Sequence, residues 1–339
     1  MRIIKKILLV ESQRELLLFL LIVDIDFSNN VFVFFEDFDE KIIEQLKKQS
    51  IILPKYIPIK SKIKNLIKKR RYLYKIRSLK RKLKLTGKIY GYNHGLMGEI
   101  FNKEEIVLLE DGTYNMKKPN KREYIKYLLK KILFNNRIPF LVNEENVKEI
   151  YLTDIFNYNL EDINSRIKFN IINVQEKWIL KTQDEKLKIN RIFGIEKNIE
   201  TLLCMDTILF TQPLSEDGYI EEEEKIQIYK KILKKYNNEK LIIKVHPREK
   251  TNYSNYFSDC IVLKEKCPIE LLVLNGLNIK KAITLFSTAV FSFEKKVKID
   301  FYGTEVHPKL LTKFGSMDYI MKRNKFLEEN SYGKTNFNR

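Results

Sequence analysis

The chain has 339 residues, of which 44% are hydrophobic and 12% aromatic, so it can form more than one globular core and is not expected to be disordered. Its formal net charge of +19 indicates an anionic partner, such as a nucleic acid, an anionic lipid surface or a phosphorylated ligand. The cysteines Cys204, Cys260 and Cys267 form no C-x-x-C pair, and no histidine is spaced to complete a zinc site. We therefore expect reduced thiols and no metal centre.

The first residues predict a buried strand followed by a helix, and neither a membrane span nor a signal peptide. The apolar run from Leu16 to Val23 is too short to cross a bilayer, and Asp24 closes it. It lacks the small-residue cleavage site of a signal peptide. We therefore expect a cytoplasmic protein.

Short apolar runs alternate with helical patterns through the first half, which predicts βαβ units and a mostly parallel sheet. The predicted strands are residues 7–10, 31–35, 89–92 and 106–109, and the predicted helices are residues 14–23, 41–48 and 62–84. Between residues 117 and 198 the pattern is weaker, with a helix expected at 122–133 and no clear period at 157–173. We assign this region to the first domain and a connector.

A second alternation of strands and helices begins near Thr207. The predicted strands are residues 208–210, 241–245, 261–263, 282–286 and 297–301; the predicted helices are residues 221–236, 268–274, a helix that begins at Ser287 or Thr288, and 317–328. No Walker motif or G-x-G-x-x-G fingerprint is present. The fold is therefore predicted to be α/β, with two Rossmann-like domains (residues 1–200 and 205–328), a cleft between them, and a flexible tail at 329–339.

A His-Pro dipeptide follows the predicted strand at 241–245. Pro247 favours extended backbone at His246, so the imidazole is expected at the carboxyl edge of the sheet, where ligands bind in open α/β folds. An imidazole there can hydrogen-bond or protonate a leaving phosphate, and Arg248 beside it suits an anion. The alternative is a histidine that is merely satisfied within the fold.

The hydroxyl pair Ser287-Thr288 follows another buried apolar run, which is aimed at the same edge. Two hydroxyls and the free amides of a first helical turn can bind a phosphate. The alternative is an ordinary helix N-cap.

Two acidic triplets also follow predicted strands: Glu110-Asp111-Gly112 and Glu216-Asp217-Gly218. A carboxylate at the end of a strand can act as a general base for an acceptor hydroxyl. Asp-Gly is also a strong turn signal, so each triplet has a plain structural alternative. The glutamates at 221–224 are interpreted as a solvated helix start that the helix dipole favours.

A strongly basic segment carries thirteen Lys or Arg and no acidic residue between Lys62 and Lys88. Its apolar residues, at 63, 66, 73, 76, 79 and 83, form a helical stripe. The segment is therefore either a surface helix of the fold or a face that meets anionic lipid or a phosphorylated acceptor.

In these motifs the chain resembles the bacterial lipooligosaccharide sialyltransferases of glycosyltransferase family 52. The family carries an acidic-acidic-Gly motif, a His-Pro motif and a later Ser-Ser/Thr motif in that order, and Glu110-Asp111-Gly112, His246-Pro247 and Ser287-Thr288 match them. The residues after the first triplet, Thr113-Tyr114-Asn115, also look like the family.

The resemblance implies a GT-B-like fold, CMP-sialic acid as donor, inversion at the anomeric carbon, and no metal or other cofactor. It leaves two candidates for the base, Asp111 and Asp217, of which Asp217 is slightly preferred. It also implies that His246 stabilises the departing phosphate. The remaining implied roles are donor binding by Pro247, Arg248, Glu270, Ser287 and Thr288, and an acceptor-side position for Glu110 and Gly112.

The expected function is transfer of sialic acid to a terminal galactose of lipooligosaccharide or a related glycan. Two alternatives stay open: a family 52 hexosyltransferase that uses a UDP-sugar, and a basic non-enzymatic nucleic-acid-binding protein. No nucleic-acid-binding motif or basic–aromatic platform supports the second, so no nucleic acid is expected as a partner. The expected partners are the sugar donor, a glycolipid or oligosaccharide acceptor, and the inner face of the cytoplasmic membrane through residues 62–88; a homodimer is left open as an alternative to a monomer.

Overall fold

The computed structural model describes residues 6–23, 29–82, 87–92, 95–101, 103–110, 146–154, 166–195, 202, 204–236, 240–263, 267–293 and 297–317. The chain divides into two compact units, and in the described part the division falls between Ile192 and Phe193. The sequence placed this boundary further along, at residues 200–205. The predicted helix at 122–133, all but the first residue of that at 317–328, the tail and the residues Asp111 and Gly112 lie outside the described residues.

The first unit is built on a parallel sheet with the strand order β3-β2-β1-β4-β5-β6-β7. Its strands are β1 (Lys6–Leu9), β2 (Asn30–Phe35), β3 (Ser50–Leu53), β4 (Lys88–Gly91), β5 (Ile106–Leu109), β6 (Val147–Thr153) and β7 (Lys168–Ile172). Its helices are α1 (Gln13–Ile22), α2 (Glu40–Gln45), α3 (Lys62–Lys82), α4 (Gly95–Ile100), α5 (Val174–Ile179) and α6 (Gln183–Phe193).

Helix α1 shows why the first apolar run is core rather than membrane. It begins with a capping box, in which the Ser12 hydroxyl accepts the Glu15 N–H and the Glu15 carboxylate accepts the Ser12 N–H. Every residue from Leu16 to Leu21 is buried, which is typical of a helix covered on all sides within a fold. None of the described helices has the length and apolarity needed to span a bilayer.

The four strands predicted in the first half are confirmed to within one residue, but β3, β6 and β7 were missed. Strand β7 buries only Ile172 fully and lies at the edge of the sheet, so its sequence carries no strong apolar period. Strand β3 lies at the opposite edge and is also mostly uncovered. Edge strands of this kind give the weakest sequence signal.

The second unit contains a parallel sheet with the strand order β10-β9-β8-β11-β12. The strands are β8 (Thr207–Phe210), β9 (Leu241–Lys244), β10 (Ile261–Leu263), β11 (Lys281–Thr284) and β12 (Lys298–Phe301). The helices are α7 (Glu222–Leu233), α8 (Ile269–Leu274) and α9 (Pro308–Phe314). The predicted strands and the helices at 221–236 and 268–274 are confirmed with small shifts in their ends, and α9 was missed.

The order of the second sheet identifies its ligand edge. Strand β8 lies in the centre, β9 and β10 extend to one side, and β11 and β12 extend to the other. The side of the sheet to which successive strands are added therefore changes at β8, and open α/β sheets bind ligands outside the carboxyl ends of the strands at such a switch point. The segments that follow β8, β9 and β11 meet there.

The structure corrects the prediction of an α-helix after Ser287. Residues Thr288–Ser292 form a 3-10 helix, and Ser287 caps it by accepting the Ala289 N–H at 3.3 Å. A 3-10 helix this short offers little of the aligned dipole expected from an α-helix start. The predicted phosphate site therefore depends on the two hydroxyls rather than on a helix terminus.

Candidate functional site

His246 lies two residues beyond β9, in the loop at the ligand edge of the second sheet, and is half-buried. Its Nδ1 accepts the backbone N–H of Arg248 at 3.2 Å. A neutral imidazole that accepts at Nδ1 carries its proton on Nε2. His246 can therefore donate an Nε2–H bond to a ligand at this edge.

The surroundings of His246 favour this neutral form. Burial and the positive charges of Arg248 and Lys244 lower the pKa of His246 to about 4. The ring is therefore uncharged near neutral pH. It can contribute a directed hydrogen bond to a phosphate, and it does not bring a positive charge of its own.

Arg248 connects the histidine to the second acidic triplet. Its backbone orients His246, and its guanidinium forms an ion pair with Asp217. Asp217 lies in a turn that Gly218 closes, with a φ of 71° and an N–H bond to the Ser215 carbonyl at 2.9 Å. The acidic triplet therefore forms the turn that Asp-Gly predicts, and it also contacts the His-Pro loop. Arg248 links Asp217 to His246.

A buried lysine fixes the triplet loop. Lys225 of α7 is fully buried, and its Nζ lies 2.9 Å from Glu216 Oε2, 3.0 Å from Glu222 Oε2 and 3.7 Å from Glu249 Oε1. Burial alone would raise the pKa of Glu216, but the Lys250 N–H and the Lys225 ammonium lower it to about 2. We call Lys225, Glu216, Glu222 and Glu249 the ionic cluster.

Glu249 joins the end of β8 to the His-Pro loop. Its buried carboxylate accepts the His246 N–H at 2.9 Å, the Tyr253 hydroxyl at 2.6 Å and the Thr211 hydroxyl. Burial raises the pKa of Glu249, although these donors act against that shift. The backbone of His246 is therefore fixed by its hydrogen bond to the buried carboxylate of Glu249.

Gln212 makes the corresponding link to the third segment. Its Oε1 accepts the Phe286 N–H at 3.2 Å, and its own N–H donates to the Tyr229 hydroxyl at 2.9 Å. The next residue, Ser287, donates its N–H to Thr284 Oγ1 at 2.9 Å and is half-buried, as is Thr288. The loops after β8, β9 and β11 thus form one hydrogen-bonded edge.

Two other predicted residues, Glu110 and Glu270, are buried within their own units. Glu110 is fully buried, and its carboxylate accepts the Thr153 N–H at 2.6 Å and the Thr153 hydroxyl at 2.7 Å and pairs with Arg14. These contacts join the end of β5 to β6 and to α1, so Glu110 stabilises the fold of the first unit. Its acceptor-side role stays a prediction. Glu270 is buried in the first turn of α8.

The dipeptide His307-Pro308 is a helix start. His307 Nδ1 accepts the Lys309 N–H at 3.3 Å, and Pro308 is the first residue of α9. The His307 ring lies 3.5 Å from Glu224 of α7 and so contacts a neighbouring helix. Only the first of the two His-Pro dipeptides follows a strand.

Sequence reasoning missed the ionic cluster. The acidic run at 221–224 was interpreted as solvated, yet Glu222 pairs with Lys225 and accepts the Thr251 hydroxyl at 2.6 Å. The available signal was Lys225 itself, which interrupts the apolar positions of α7 and is expected to need partners if it is buried. Among the described residues, no group of three or more His, Cys, Asp or Glu side chains could hold a metal ion.

Comparisons with solved structures identify the fold. The structure is similar to a crystal structure of an α/β-galactoside α-2,3-sialyltransferase from Photobacterium phosphoreum, with a TM-score of 0.56, 12% identity and 98% of each chain covered. It is also similar to the GT-B domain of a Photobacterium damselae sialyltransferase, with a TM-score of 0.55, 12% identity, and 94% of this chain and 96% of that chain covered. The fold is therefore α/β and GT-B-like, as predicted.

Sequence comparisons identify the family. The chain is 46% identical over 246 residues to an uncharacterised protein of Haemophilus influenzae, a match that covers 71% of this chain and 76% of that protein. The model of glycosyltransferase family 52 matches residues 40–310, which include β8, β9, β11 and the loops at their ends. The chain belongs to glycosyltransferase family 52.

Proposed function

We propose that this glycosyltransferase moves sialic acid from CMP-sialic acid to a terminal galactose of lipooligosaccharide or a related surface glycan, with inversion and without a metal. The observation that carries the proposal is the neutral His246, which accepts at Nδ1 and is tied through Glu249 to the end of β8, the same strand end to which Gln212 ties the loop of Ser287 and Thr288. The sialyltransferase names of the two Photobacterium structures agree with it.

The proposed reaction exchanges one bond at the anomeric carbon for another. The acceptor hydroxyl oxygen attacks the anomeric carbon, the bond to the CMP phosphate oxygen breaks, and its electron pair leaves with CMP. His246 Nε2–H, Arg248 and the hydroxyls of Ser287 and Thr288 stabilise the negative charge that develops on the phosphate. A carboxylate takes the proton of the attacking hydroxyl. Pro247 and Glu270 are assigned to the donor side, Glu270 to the ribose.

Asp217 and Asp111 are the two candidates for that carboxylate, and we favour Asp217. It lies at the ligand edge of the second unit and shares Arg248 with the histidine. One arginine side chain separates it from His246, which suits a base that acts on the face of the sugar opposite the leaving phosphate. Asp111 and Gly112 would then shape the acceptor side.

The donor is tested by asking which nucleotide the protein binds and which it turns over. A ligand at 100 times its Kd stabilises a protein by about 2.7 kcal/mol, so CMP should raise the melting temperature and UDP should not. CMP release from CMP-sialic acid, with transfer to a galactose-terminated acceptor, completes the assay. Stabilisation and turnover by UDP and a UDP-sugar alone would establish the hexosyltransferase alternative instead.

The base is tested by Asp217→Asn and Asp111→Asn. Loss of the true base should lower transfer by more than about tenfold, roughly 1.4 kcal/mol in barrier, while CMP binding persists. Binding by calorimetry and transfer by product formation separate the two effects. If neither variant lowers transfer tenfold, the mechanism given above is wrong.

We further propose that the enzyme works at the inner face of the cytoplasmic membrane, close to its lipid-linked acceptor. The support is the basic segment of residues 62–88, which forms α3 and the chain that follows it. A homodimer stays a possibility that gel filtration can test.

A further inference from the structure

Helix α3 is anchored to the first unit along one face only. Leu73 and Ile76 are buried in the core, and Lys69 and Lys80 pair with Glu99 at 2.7 Å and Glu104 at 2.6 Å. Arg77 also donates to the Glu99 carbonyl at 2.7 Å. These contacts bind the C-terminal two thirds of the helix to the fold and fix its orientation.

The predicted apolar stripe is divided by this anchoring. Its residues Leu73 and Ile76 are buried, whereas Ile63 is 74% exposed. Ile67 and Tyr74, which were not part of the predicted stripe, are 50% and 74% exposed. Positions i, i+4 and i+11 lie on one side of a helix, about 100° from the anchored side. We call Ile63, Ile67 and Tyr74 the α3 stripe; Leu66, 43% exposed, lies between the stripe and the anchored side.

The loop that leads into α3 extends the exposed apolar surface. Ile57 is 62% exposed and Ile59 is 39% exposed. Asn65 holds this loop against the first turns of α3, because its side-chain oxygen accepts the Ile59 N–H at 2.8 Å and the Tyr56 hydroxyl at 2.8 Å. The hydrogen bonds of Asn65 therefore hold the loop next to α3. Ile57 and Ile59 stay exposed beside the helix without another element of the described chain packed over them.

Cationic side chains lie next to the α3 stripe, most of them along one side of it. Six of those in α3 are exposed and form no salt bridge with any carboxylate of the described residues, and the sequence from 62 to 88 contains no acid. These six are Lys64, Lys68, Arg70, Arg71, Lys75 and Arg81. An exposed apolar stripe with unpaired cations beside it is typical of a helix that lies in the interface of an anionic bilayer.

We propose that the α3 stripe and the loop at Ile57 and Ile59 insert into the headgroup region of an anionic bilayer, while the flanking cations contact the lipid phosphates. A second copy of the chain is a poorer occupant, because a symmetric contact would place like charges against like charges. The proposal deepens the proposed membrane location, but it does not depend on the sugar donor. It also changes the expected salt dependence, since charge contacts are screened and apolar insertion is not.

The test measures binding of the full chain to vesicles of neutral phosphatidylcholine and of phosphatidylcholine with an anionic lipid. We expect binding to the anionic vesicles only, and at about 1 M salt, where the Debye length is about 3 Å, a measurable part of it should remain. The variant Ile63→Ser/Ile67→Ser/Tyr74→Ser should bind about tenfold or more weakly and lose the salt-resistant part. The matched control is Ile179→Ser/Leu180→Ser, which removes exposed apolar side chains elsewhere and should bind like the wild type.

The charge contribution is tested with Lys64→Gln/Lys68→Gln/Arg71→Gln against Lys41→Gln/Lys48→Gln/Lys240→Gln, which removes the same charge from exposed positions outside α3. The first set should weaken binding at low salt far more than the second. Equal binding to both vesicle types, no binding to either, or unchanged binding by the stripe variant would overturn the proposal. An oligomer that the stripe variant dissociates would also overturn it, in favour of a second copy as occupant. None of these readouts needs the donor or turnover, so a wrong donor assignment leaves them unaffected.

Discussion

At the scale of single residues, the two His-Pro dipeptides show how context assigns a task. His246 follows a central strand, and its Nδ1 accepts the Arg248 N–H, which leaves the Nε2–H for a ligand. His307 follows a 3-10 turn, and its Nδ1 accepts the Lys309 N–H to cap α9. Both rings accept from a backbone amide two residues on, but the other ring nitrogen of His307 lies 3.5 Å from Glu224 of α7, so its surroundings are a neighbouring helix.

The first prediction concerns His246. His246→Ala should lower kcat by about 10² to 10³, the usual cost of one lost donor to a charge that develops in the transition state. His246→Gln should retain more activity, because the glutamine amide can still donate. Initial rates of CMP release measure both, and His307→Ala is the matched control with kcat expected unchanged. Wild-type turnover in a folded His246→Ala protein would exclude the assigned role.

The second prediction follows from the pKa of His246, which is about 4 in the folded chain against about 6.5 in an unfolded one. Between these values the unfolded chain binds more protons, so the free energy of unfolding should fall as pH is lowered from about 6.5 to 4. The contribution is complete above pH 6.5, and one proton gives at most about 1.4 kcal/mol per pH unit.

The pKa of Glu249 is raised by burial, and its effect on the free energy of unfolding has the opposite sign. The contribution of His246 must therefore be obtained as the difference between two proteins that both contain Glu249. Denaturant unfolding of the wild type and of His246→Gln between pH 4 and 7 supplies that difference. Identical slopes in the two proteins would show that His246 is not held neutral by the fold.

At the scale of elements, α7 supports the candidate site through the ion pairs of its buried Lys225. Its Lys225 contacts the loop after β8 through Glu216 and the loop after β9 through Glu249. The same helix contacts α9 through Glu224, which pairs with Lys309 at 2.9 Å. One helix therefore contacts three other segments of the second unit, one before it and two after it in the chain.

The third prediction tests this support. Lys225→Met leaves the carboxylates of the ionic cluster without their buried cation, and breaking a buried pair in this way typically costs about 3–5 kcal/mol in the free energy of unfolding. Lys309→Met removes an exposed partner of Glu224 and should have little effect. The double change Lys225→Met/Glu249→Gln should recover part of the loss. Urea unfolding measures all three, and equal stability of Lys225→Met and the wild type would contradict the account.

Sequence patterns located the elements far better than the contacts within the site. The strands of the second unit could be predicted because buried central strands are continuous apolar runs. The apolar runs before His246 and before Ser287-Thr288 also indicated that the segments after β9 and β11 would lie at the same edge of the sheet. The position of Lys225 among the apolar residues of α7 signalled burial, but its partners Glu216, Glu222 and Glu249 could not be assigned, because a glutamate looks the same in sequence whether it contacts water or a buried lysine.

At the scale of the whole molecule, the two units share a strand arrangement. In both sheets the earliest strand of the sheet lies inside, the next two strands extend to one side, and the later ones extend to the other. The sequence predicted this architecture from the alternation of strands and helices. It could not give the two edge strands of the first sheet, since their burial depends on neighbours distant in the chain.

Every strand pair in the described parts of both sheets is parallel. A parallel pair cannot close through a hairpin, so each ladder joins segments separated by a full crossover, and β1 pairs with β4 across some eighty residues, from Lys6 to Lys88. Loop-closure entropy must be overcome before such contacts stabilise the chain, and folding rates fall as contacts become less local. This protein should therefore fold slowly and expose unpaired apolar strands while it does so, which makes aggregation during synthesis, rather than loss of the finished fold, the principal hazard for its production at high concentration.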